Sequence, residues 1–387
     1  MGTDSGLRGV AGYFFKLGWL AFGGPVGQIG LMHLEVVARK GWLDEEEFLR
    51  ALNFCHLLPG PEATQLAIYI GWRRAGWIGG VVAGLLFILP GFLTLSVLAW
   101  IYVRFGADPR VMAVLWGFRP VGLALLLAAL VRIGRATLKD AETIALALAA
   151  FAAFTFTGAP FPLLLLGCGA AHLLLRRSPR AAAALALLAL PGRADALEPA
   201  VRRLADVSWF FLKVGLFSFG GAYAVLPYLR AGSVTTYGWM TDHQMIDALA
   251  LGETTPGPLI SIGTFVGFLA GAGAGVPWWG AAAATFWLFL PSFVLVLAAV
   301  GSMDRLLARP GVKEFLKGVT CAVVGLMFSI AIPLARVAVM PGGTLDPVTV
   351  VLGLAAFAVL TWWRYRLNVV AVVLGGGAAG LLRALVT

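Results

Sequence analysis

Charged residues are scarce in this sequence of 387 residues, in which Asp, Glu, Lys and Arg together make up 12%. A typical soluble domain contains roughly 25%. Hydrophobic residues account for 60% of the chain, and the mean hydropathy is +0.89. Apolar runs such as the one from Gly76 to Val103 exceed the ~20 residues that a helix needs to cross the hydrocarbon core of a bilayer. The composition excludes a soluble globular protein and predicts an all-α, polytopic membrane protein.

Sequence signals for redox, metal or catalytic chemistry are also absent. Cys55, Cys168 and Cys321 are isolated from one another, so the sequence predicts neither a disulfide framework nor a metal site. There is no HExxH or GxSxG motif, no nucleotide-binding loop and no aspartate pair on an apolar span. We therefore expect no cofactor, no bound metal and no enzymatic activity.

The net charge of +10 comes from 29 Lys and Arg residues against 19 Asp and Glu residues. A basic protein can bind nucleic acid, but here the basic residues lie in small groups that flank the apolar runs. The cytoplasmic loops of membrane proteins have this pattern. The sequence therefore predicts a chain surrounded by membrane lipid, with no nucleic-acid partner.

An internal repeat divides the chain. "FFKLGWLAFGG" from Phe14 matches "FFLKVGLFSFGG" from Phe210, and Pro-Gly-Pro occurs at 59–61 and at 256–258, an offset of 197 residues (256 − 59). Further along, "FILPGF" matches "LFLPSF" after a one-residue slip. Such an ordered series indicates duplication. We expect an N-terminal repeat at 1–175, a cytoplasmic connector at 176–206 and a C-terminal repeat at 207–387.

Lysine and arginine in the short loops predict that the two copies face opposite ways. Six of them lie between residues 34 and 107, whereas the equivalent stretch 231–304 contains none. Equivalent loops on opposite sides of the membrane are typical of inverted-topology repeats. We predict about five transmembrane helices in each repeat. The predicted spans are 10–38, 76–104, 111–131, 142–158 and 160–175, then 207–230, 276–300, 316–339, 346–362 and 367–386.

The moderately apolar segments 48–71 and 245–268 carry Pro-Gly-Pro in their middle. Proline and glycine interrupt a helix, so each segment is predicted to form two half-helices in a re-entrant hairpin. Unwound backbone at membrane depth is tolerated only inside protein or beside a wet cavity, which predicts a central polar site. The second half-helix would begin near Pro61 or Pro258, and its free N–H groups would suit an oxyanion.

We expect this site to use the bends, the Gly-Gly pairs of the first spans and nearby polar residues. The candidates are Lys16, Gly23, Gly24, Asn53, Pro59, Gly60, Pro61, Thr64, Gln65, Lys213, Gly220, Gly221, Thr255, Pro256, Gly257, Pro258 and Ser261. Two alternatives stay open. The lysines could snorkel to the headgroups instead of attracting an anion, and the glycines could serve only close helix packing.

Glu35, His56 and Glu253 are candidates for carrying a coupling proton, because buried carboxyls and imidazoles can titrate near physiological pH. Alternatively, Glu35 pairs with Arg39 one helical turn away, and His56 bonds to backbone. For Arg119, within an apolar span, a role in an anion pathway and a structural pairing are equally open.

Several motifs together resemble the chromate ion transporter family in its two-copy form, over nearly the whole chain. They are "FxKLGxxxFGGP", "GWLDEEEF", "LLPGPEATQLAIYIG" and "TPGPLISIGTFVG". The resemblance implies a carrier in the inner (plasma) membrane that exports chromate and confers chromate resistance. A carrier or channel for another inorganic anion such as sulfate is the alternative, and a homodimer is an open expectation. Two positions depart from the family pattern, since Gln28 replaces a usual histidine and Glu253 a common glutamine.

Overall fold

The computed structural model describes residues 6–22, 24–176, 198–219, 221–340, 343–362 and 368–386. Within these ranges every regular element is helical, which confirms the predicted all-α class. The first copy contains α1 (Leu7–Leu20), α2 (Gly24–His33), α3 (Glu45–Leu57), α4 (Glu62–Phe105), α5 (Pro109–Thr137), α6 (Ala141–Ala152) and α7 (Phe161–Arg176). The second contains α8 (Pro199–Leu216), α9 (Leu226–Arg230), α10 (Asp242–Thr254), α11 (Ile262–Ala272), α12 (Pro277–Ala299), α13 (Met303–Leu307), α14 (Pro310–Val339), α15 (Pro347–Trp362) and α16 (Asn368–Val386).

The predicted spans after the first one in each copy coincide with helices. Among the described residues, four helical stretches are both long and apolar enough to cross a membrane: Glu62–Phe105, Pro109–Thr137, Pro277–Leu307 and Gly311–Val339. Shorter apolar helices occupy the predicted spans near the end of each copy. The predicted connector lies mostly outside the described residues, which omit 177–197.

The first span of each copy differs from the prediction of a single crossing. Instead of one helix over 10–38, α1 ends at Leu20 and α2 begins at Gly24. Instead of one helix over 207–230, α8 ends at Leu216 and a 3₁₀ turn begins at Ala222. Gly24 and Gly221 have φ angles of 78° and 96°, in the left-handed region that favours glycine, so the chain cannot continue as a helix there.

The predicted Pro-Gly-Pro bends are confirmed. In the first copy α3 ends at Leu57 and α4 begins at Glu62. In the second, α10 ends at Thr254 and a short 3₁₀ turn precedes α11. Both hairpins also begin at equivalent positions with a side-chain cap, since Asp44 accepts from the Glu47 amide and Thr241 from the Gln244 amide.

The half-helix after each bend folds back on the next long helix. In α4 the reversal lies inside the continuous helical stretch, where Ala75 and Gly76 have non-helical angles, and Gly71 packs against Gly79. In the second copy, α11 and α12 form the equivalent hairpin. Each copy therefore has two adjacent breaks, one in the first span and one at Pro-Gly-Pro.

The last two helices of each copy pack against the other copy. Helices α15 and α16 lie on α5, and α6 and α7 lie on α14. The helices approach at small residues, where Gly117 meets Gly376 and Gly318 meets Cys168. Reciprocal contacts of this kind define a two-fold relation between the copies. Because the end helices of each copy pack on the other copy, the two repeats form one packed unit.

Gly380→Ala in α16 tests this packing. A Cβ at Gly380 would overlap the carbonyl oxygen of Ala113 in α5, so one helix must shift. Overpacking of this kind costs about 1–3 kcal/mol, which should lower the thermal midpoint of the purified protein in detergent.

The matched control is Gly375→Ala in the same helix, where a Cβ meets no atom within 4 Å. Alanine also favours a helix over glycine, so this variant should keep or raise the midpoint. Equal losses from both substitutions would contradict the packing argument.

Candidate functional site

The four breaks meet in two reciprocal pairs. The amide of Gly60, in the first Pro-Gly-Pro, donates to the carbonyl of Ser218 at 2.7 Å, in the broken first span of the second copy. The amide of Gly257, in the second Pro-Gly-Pro, donates to the carbonyl of Ala21 at 3.1 Å, in the broken first span of the first copy. The partners correspond at the repeat offset of 197 (257 − 60 and 218 − 21). Each bend is therefore tied to the opposite copy.

Two glutamines satisfy carbonyls of the bends. The Nε2 group of Gln28 donates to the Gly257 carbonyl at 2.7 Å and weakly to the Ala21 carbonyl at 3.4 Å. The Nε2 group of Gln65 donates to the Pro59 carbonyl at 2.8 Å. Gln28 departs from the family pattern and is not among the site residues predicted from the sequence. The structure places it in contact with the second bend.

Close backbone approach explains the glycines of the bends. Gly60 and Gly257 have φ angles of 133° and 97°, where any other residue would be strained. A Cβ on Gly60 would overlap Ser292 of α12, and a Cβ on Gly257 would lie 3.1 Å from the Cα of Gly91 in α4. Gly91 and Ser292 follow the helix prolines Pro90 and Pro291, so the "LPGF" and "LPSF" segments pack against the bends.

Buried polar atoms without a protein partner surround these contacts. Six side chains at or beside the breaks are at most 1% exposed, and each has one such atom: Gln28 Oε1, Thr64 Oγ1, Gln65 Oε1, Ser218 Oγ, Ser261 Oγ and Ser292 Oγ. Buried polar groups are nearly always hydrogen-bonded to protein or water. Four hydroxyls in this region are therefore free to hold water or a polar solute.

A cavity of about 80 Å³ lies beside the second bend. Its lining includes Gly24 and Pro25 at the start of α2, Arg132 of α5, Tyr223 and Glu253. The Tyr223 hydroxyl donates to Oε1 of Glu253, and the Arg132 guanidinium carbon lies 5.8 Å from the centroid of the Tyr223 ring. Glu253 is only 3% exposed. Sequence reasoning identified Gly24 and Glu253, but Arg132 and Tyr223 belong to no motif that would have marked them.

Other predicted candidates also lie where the four breaks meet, a region that we call the junction. Pro61, Thr255, Pro256 and Pro258 are buried in the bends themselves, and Gly221 is half-buried at the break after α8. The amides of Gly60 and Gly257 donate to carbonyls of the opposite copy, so these two amides are not available to a solute. Gly23 and Gly220 lie outside the described residues.

The structure does not bring the remaining candidates to the bends. Lys16 and Asn53 are exposed on α1 and α3. Lys213 is half-buried, with its ammonium 5.4 Å from the centroid of the Trp209 ring. Their roles in anion binding stay predictions.

Two of the proton-coupling candidates are held in ion pairs. Glu35 pairs with Arg39 at 3.2 Å, as its structural alternative predicted. His56 is exposed and lies 3.2 Å from Glu62, a side-chain partner that the sequence analysis did not consider. Only Glu253, of the three, is buried among the breaks.

Arg119 is paired with a buried carboxylate. Its Nε lies 3.4 Å from Oδ1 of Asp247, which is fully buried, and the Tyr102 hydroxyl donates to Oδ2 of Asp247 at 2.9 Å. The three residues join α5, α10 and α4. Of the two roles left open for Arg119, the structure shows the structural pairing, and Asp247 is a residue that sequence reasoning missed.

Comparison with known proteins identifies the family. The profile described as "Chromate transporter" matches residues 9–173 and again residues 205–381. This chain belongs to the chromate transporter family. The two matched segments correspond to the two copies, and the membrane-embedded helices agree with a multi-pass protein of the plasma membrane.

Three relatives extend over most of the chain. The "Chromate transport protein" of Pseudomonas aeruginosa is 38% identical over 95% of this chain and 90% of its own length. The protein of the same name from Cupriavidus metallidurans is 31% identical, over 97% and 93%. The "Probable chromate transport protein" of Synechococcus elongatus is 31% identical, over 85% of each chain. No solved structure matches the chain.

Removing Asp247 should be strongly destabilising. Asp247→Ala leaves the guanidinium of Arg119 without its carboxylate in a site of low exposure, and breaking a buried pair on one side costs about 3–5 kcal/mol. We expect a lower thermal midpoint in detergent. The double variant Arg119→Met with Asp247→Leu should recover much of it, because an apolar pair leaves no uncompensated charge.

The control is the exposed pair of Arg50 and Asp304, in which Arg50 occupies the position equivalent to Asp247. Asp304→Ala should leave the midpoint nearly unchanged, since exposed ion pairs contribute little. If Asp247→Ala left the thermal midpoint as nearly unchanged as Asp304→Ala, the argument that the buried pair stabilises the fold would be wrong.

Proposed function

We propose that this protein is a secondary carrier that exports chromate across the plasma membrane and thereby confers chromate resistance. The observation that carries the proposal is the junction of the four breaks, where buried hydroxyls lack protein partners. The names of the relatives supply the substrate, since three are called chromate transport proteins or probable ones.

The chemistry of the junction suits a tetrahedral oxyanion. Chromate has four oxygen acceptors and no hydrogen-bond donor, so it needs donors from the protein. Thr64 and Ser261 lie in the first turn after each bend, and Ser292 lies against the first bend. Their hydroxyls, with N–H groups at the start of the second half-helices, would supply donors to the oxygens.

The reciprocal contacts suggest how access could alternate. The Gly60–Ser218 and Gly257–Ala21 bonds are equivalent by the repeat. In a pair of inverted repeats, each copy can adopt the conformation of the other at little cost, which exchanges the open side. Loosening one of these bonds while keeping the other would open the junction on one side only.

The membrane potential favours outward movement of a dianion. One charge crossing 100 mV gains ~2.3 kcal/mol, so two charges gain about twice that when they leave a negative interior. Export therefore needs no coupling ion, whereas uptake would. Sulfate has the same shape and charge, so transport of another inorganic anion is the alternative outcome of the test.

Chromate accumulation in sensitive cells tests the proposal. Cells with the wild-type protein should accumulate less chromate than cells with an empty vector. Thr64→Val, Ser261→Ala and Ser292→Ala should each restore accumulation towards the vector level, because a lost hydrogen bond to a charged group costs about 1.5–3 kcal/mol, or roughly tenfold or more in affinity.

The controls are buried or half-buried hydroxyls with partners of their own. Thr320 donates to the Leu316 carbonyl and Ser329 to the Leu326 carbonyl, so Thr320→Val and Ser329→Ala should protect as well as the wild type. Equal accumulation in wild-type and vector cells would refute export. Full protection by all three junction variants would refute the site while leaving export intact.

The same assay decides the role of the two lysines. Lys16 is exposed on α1, which agrees with snorkelling, so Lys16→Gln should protect as well as the wild type. Accumulation at the vector level in cells with Lys16→Gln or Lys213→Gln would instead support a role for that lysine in attracting the anion.

A further inference from the structure

We propose that the cavity beside the second bend binds the transported oxyanion at Arg132, and that the anion binds there together with a proton on Glu253. This inference rests on the proposed function and deepens it. It adds an anion-binding residue, Arg132, and names Glu253 as the group that holds the proton.

The cavity has one exposed and one buried end. Arg132 is exposed, whereas Tyr223 and Glu253 are 8% and 3% exposed, so the lining runs from an accessible cation to a buried acid. Glu253 lies two residues before Thr255 and the Pro-Gly-Pro bend that meets Ala21 and Gln28. A volume of about 80 Å³ is enough for a small inorganic ion or a few water molecules.

The positive groups of the cavity suit an oxyanion. A guanidinium presents several N–H donors in a plane and forms bidentate bonds with tetrahedral oxyanions. The first turn of α2, from Gly24, adds backbone N–H groups and the positive end of a helix dipole. The predicted orientation places Arg132 on the cytoplasmic side, which is the loading side for export.

Glu253 makes this binding depend on a proton. An ionised Glu253 and a dianion would share one small cavity and one guanidinium, so each would repel the other. Once Glu253 takes a proton from solution on its carboxylate, the repulsion is removed and Arg132 can bind the anion. When the anion leaves, the proton leaves as well, so the pair carries one net negative charge outward and gains about half of what the dianion alone would gain from the membrane potential.

The surroundings of Glu253 leave few other groups to account for this linkage. Among the described residues that line the cavity, Tyr223 and Arg132 are the other ionisable side chains. The cavity walls from α2, α15 and α16 are apolar. The equivalent position in the first copy is His56, which is exposed and paired with Glu62. Among the described residues, the position equivalent to Glu253 in the first copy therefore carries no buried acid.

Calorimetric binding of chromate to the purified protein tests the inference. Titrations at pH 7.5, 8.0 and 8.5, where chromate itself is a dianion, in buffers of different ionisation enthalpy, give the affinity and the number of protons taken up. For the wild type we expect uptake of about one proton per anion. In the range where Glu253 is ionised in the free protein, the affinity should fall by roughly tenfold per pH unit as the pH rises.

Three variants separate the possible outcomes. Glu253→Gln should bind chromate with no proton uptake and little dependence on pH. Glu46→Gln, which changes an exposed acid outside the cavity, should behave as the wild type. Arg132→Gln should lower the affinity at least tenfold at pH 7.5, and because Arg132 is exposed this variant is expected to fold. Unchanged proton uptake in Glu253→Gln, or unchanged affinity in Arg132→Gln, would overturn the inference. If the wild type bound neither chromate nor sulfate at any pH, the proposed function would fail with it.

Discussion

The structure depends on the pairing of unwound backbone from one copy with unwound backbone from the other. A peptide group inside a bilayer must find a partner, because lipid offers none. Here the breaks solve that problem for one another, since Gly60 donates to Ser218 and Gly257 donates to Ala21. Neither copy could hold its breaks at membrane depth alone. This explains why the sequence repeats its interruptions in register, and why the end helices of each copy pack on the other.

The pairing also determines which residues the junction can accept. The left-handed angles of Gly60 and Gly257 and the closeness of Ser292 and Gly91 exclude a side chain at either glycine. The amides of Gly60 and Gly257 are used in holding the copies together, so a solute at the proposed site would find its donors mostly in side chains. Serine and threonine suit this task, because their small hydroxyls fit beside closely packed backbone and rotate towards a ligand.

The sequence predicted the duplication and the Pro-Gly-Pro bends because proline and glycine act on the backbone where they occur. It did not predict the breaks of the first spans, since Phe-Gly-Gly is also common where helices only pack closely. It missed Asp247 as the partner of Arg119, 128 residues away, and Gln28 as the partner of Gly257, 229 residues away. Such pairs depend on how the two copies come together, which no local pattern contains.

Two copies with the same backbone would give a junction with equivalent sides, so any preference for one side must come from residues that differ between them. The structure shows such differences at equivalent positions. Buried Glu253 corresponds to exposed His56, and buried Asp247 corresponds to exposed Arg50. In both cases the buried acidic side chain lies in the second copy. The charges that differ between the copies therefore make the two sides of the junction chemically unequal, although the backbone around them is duplicated.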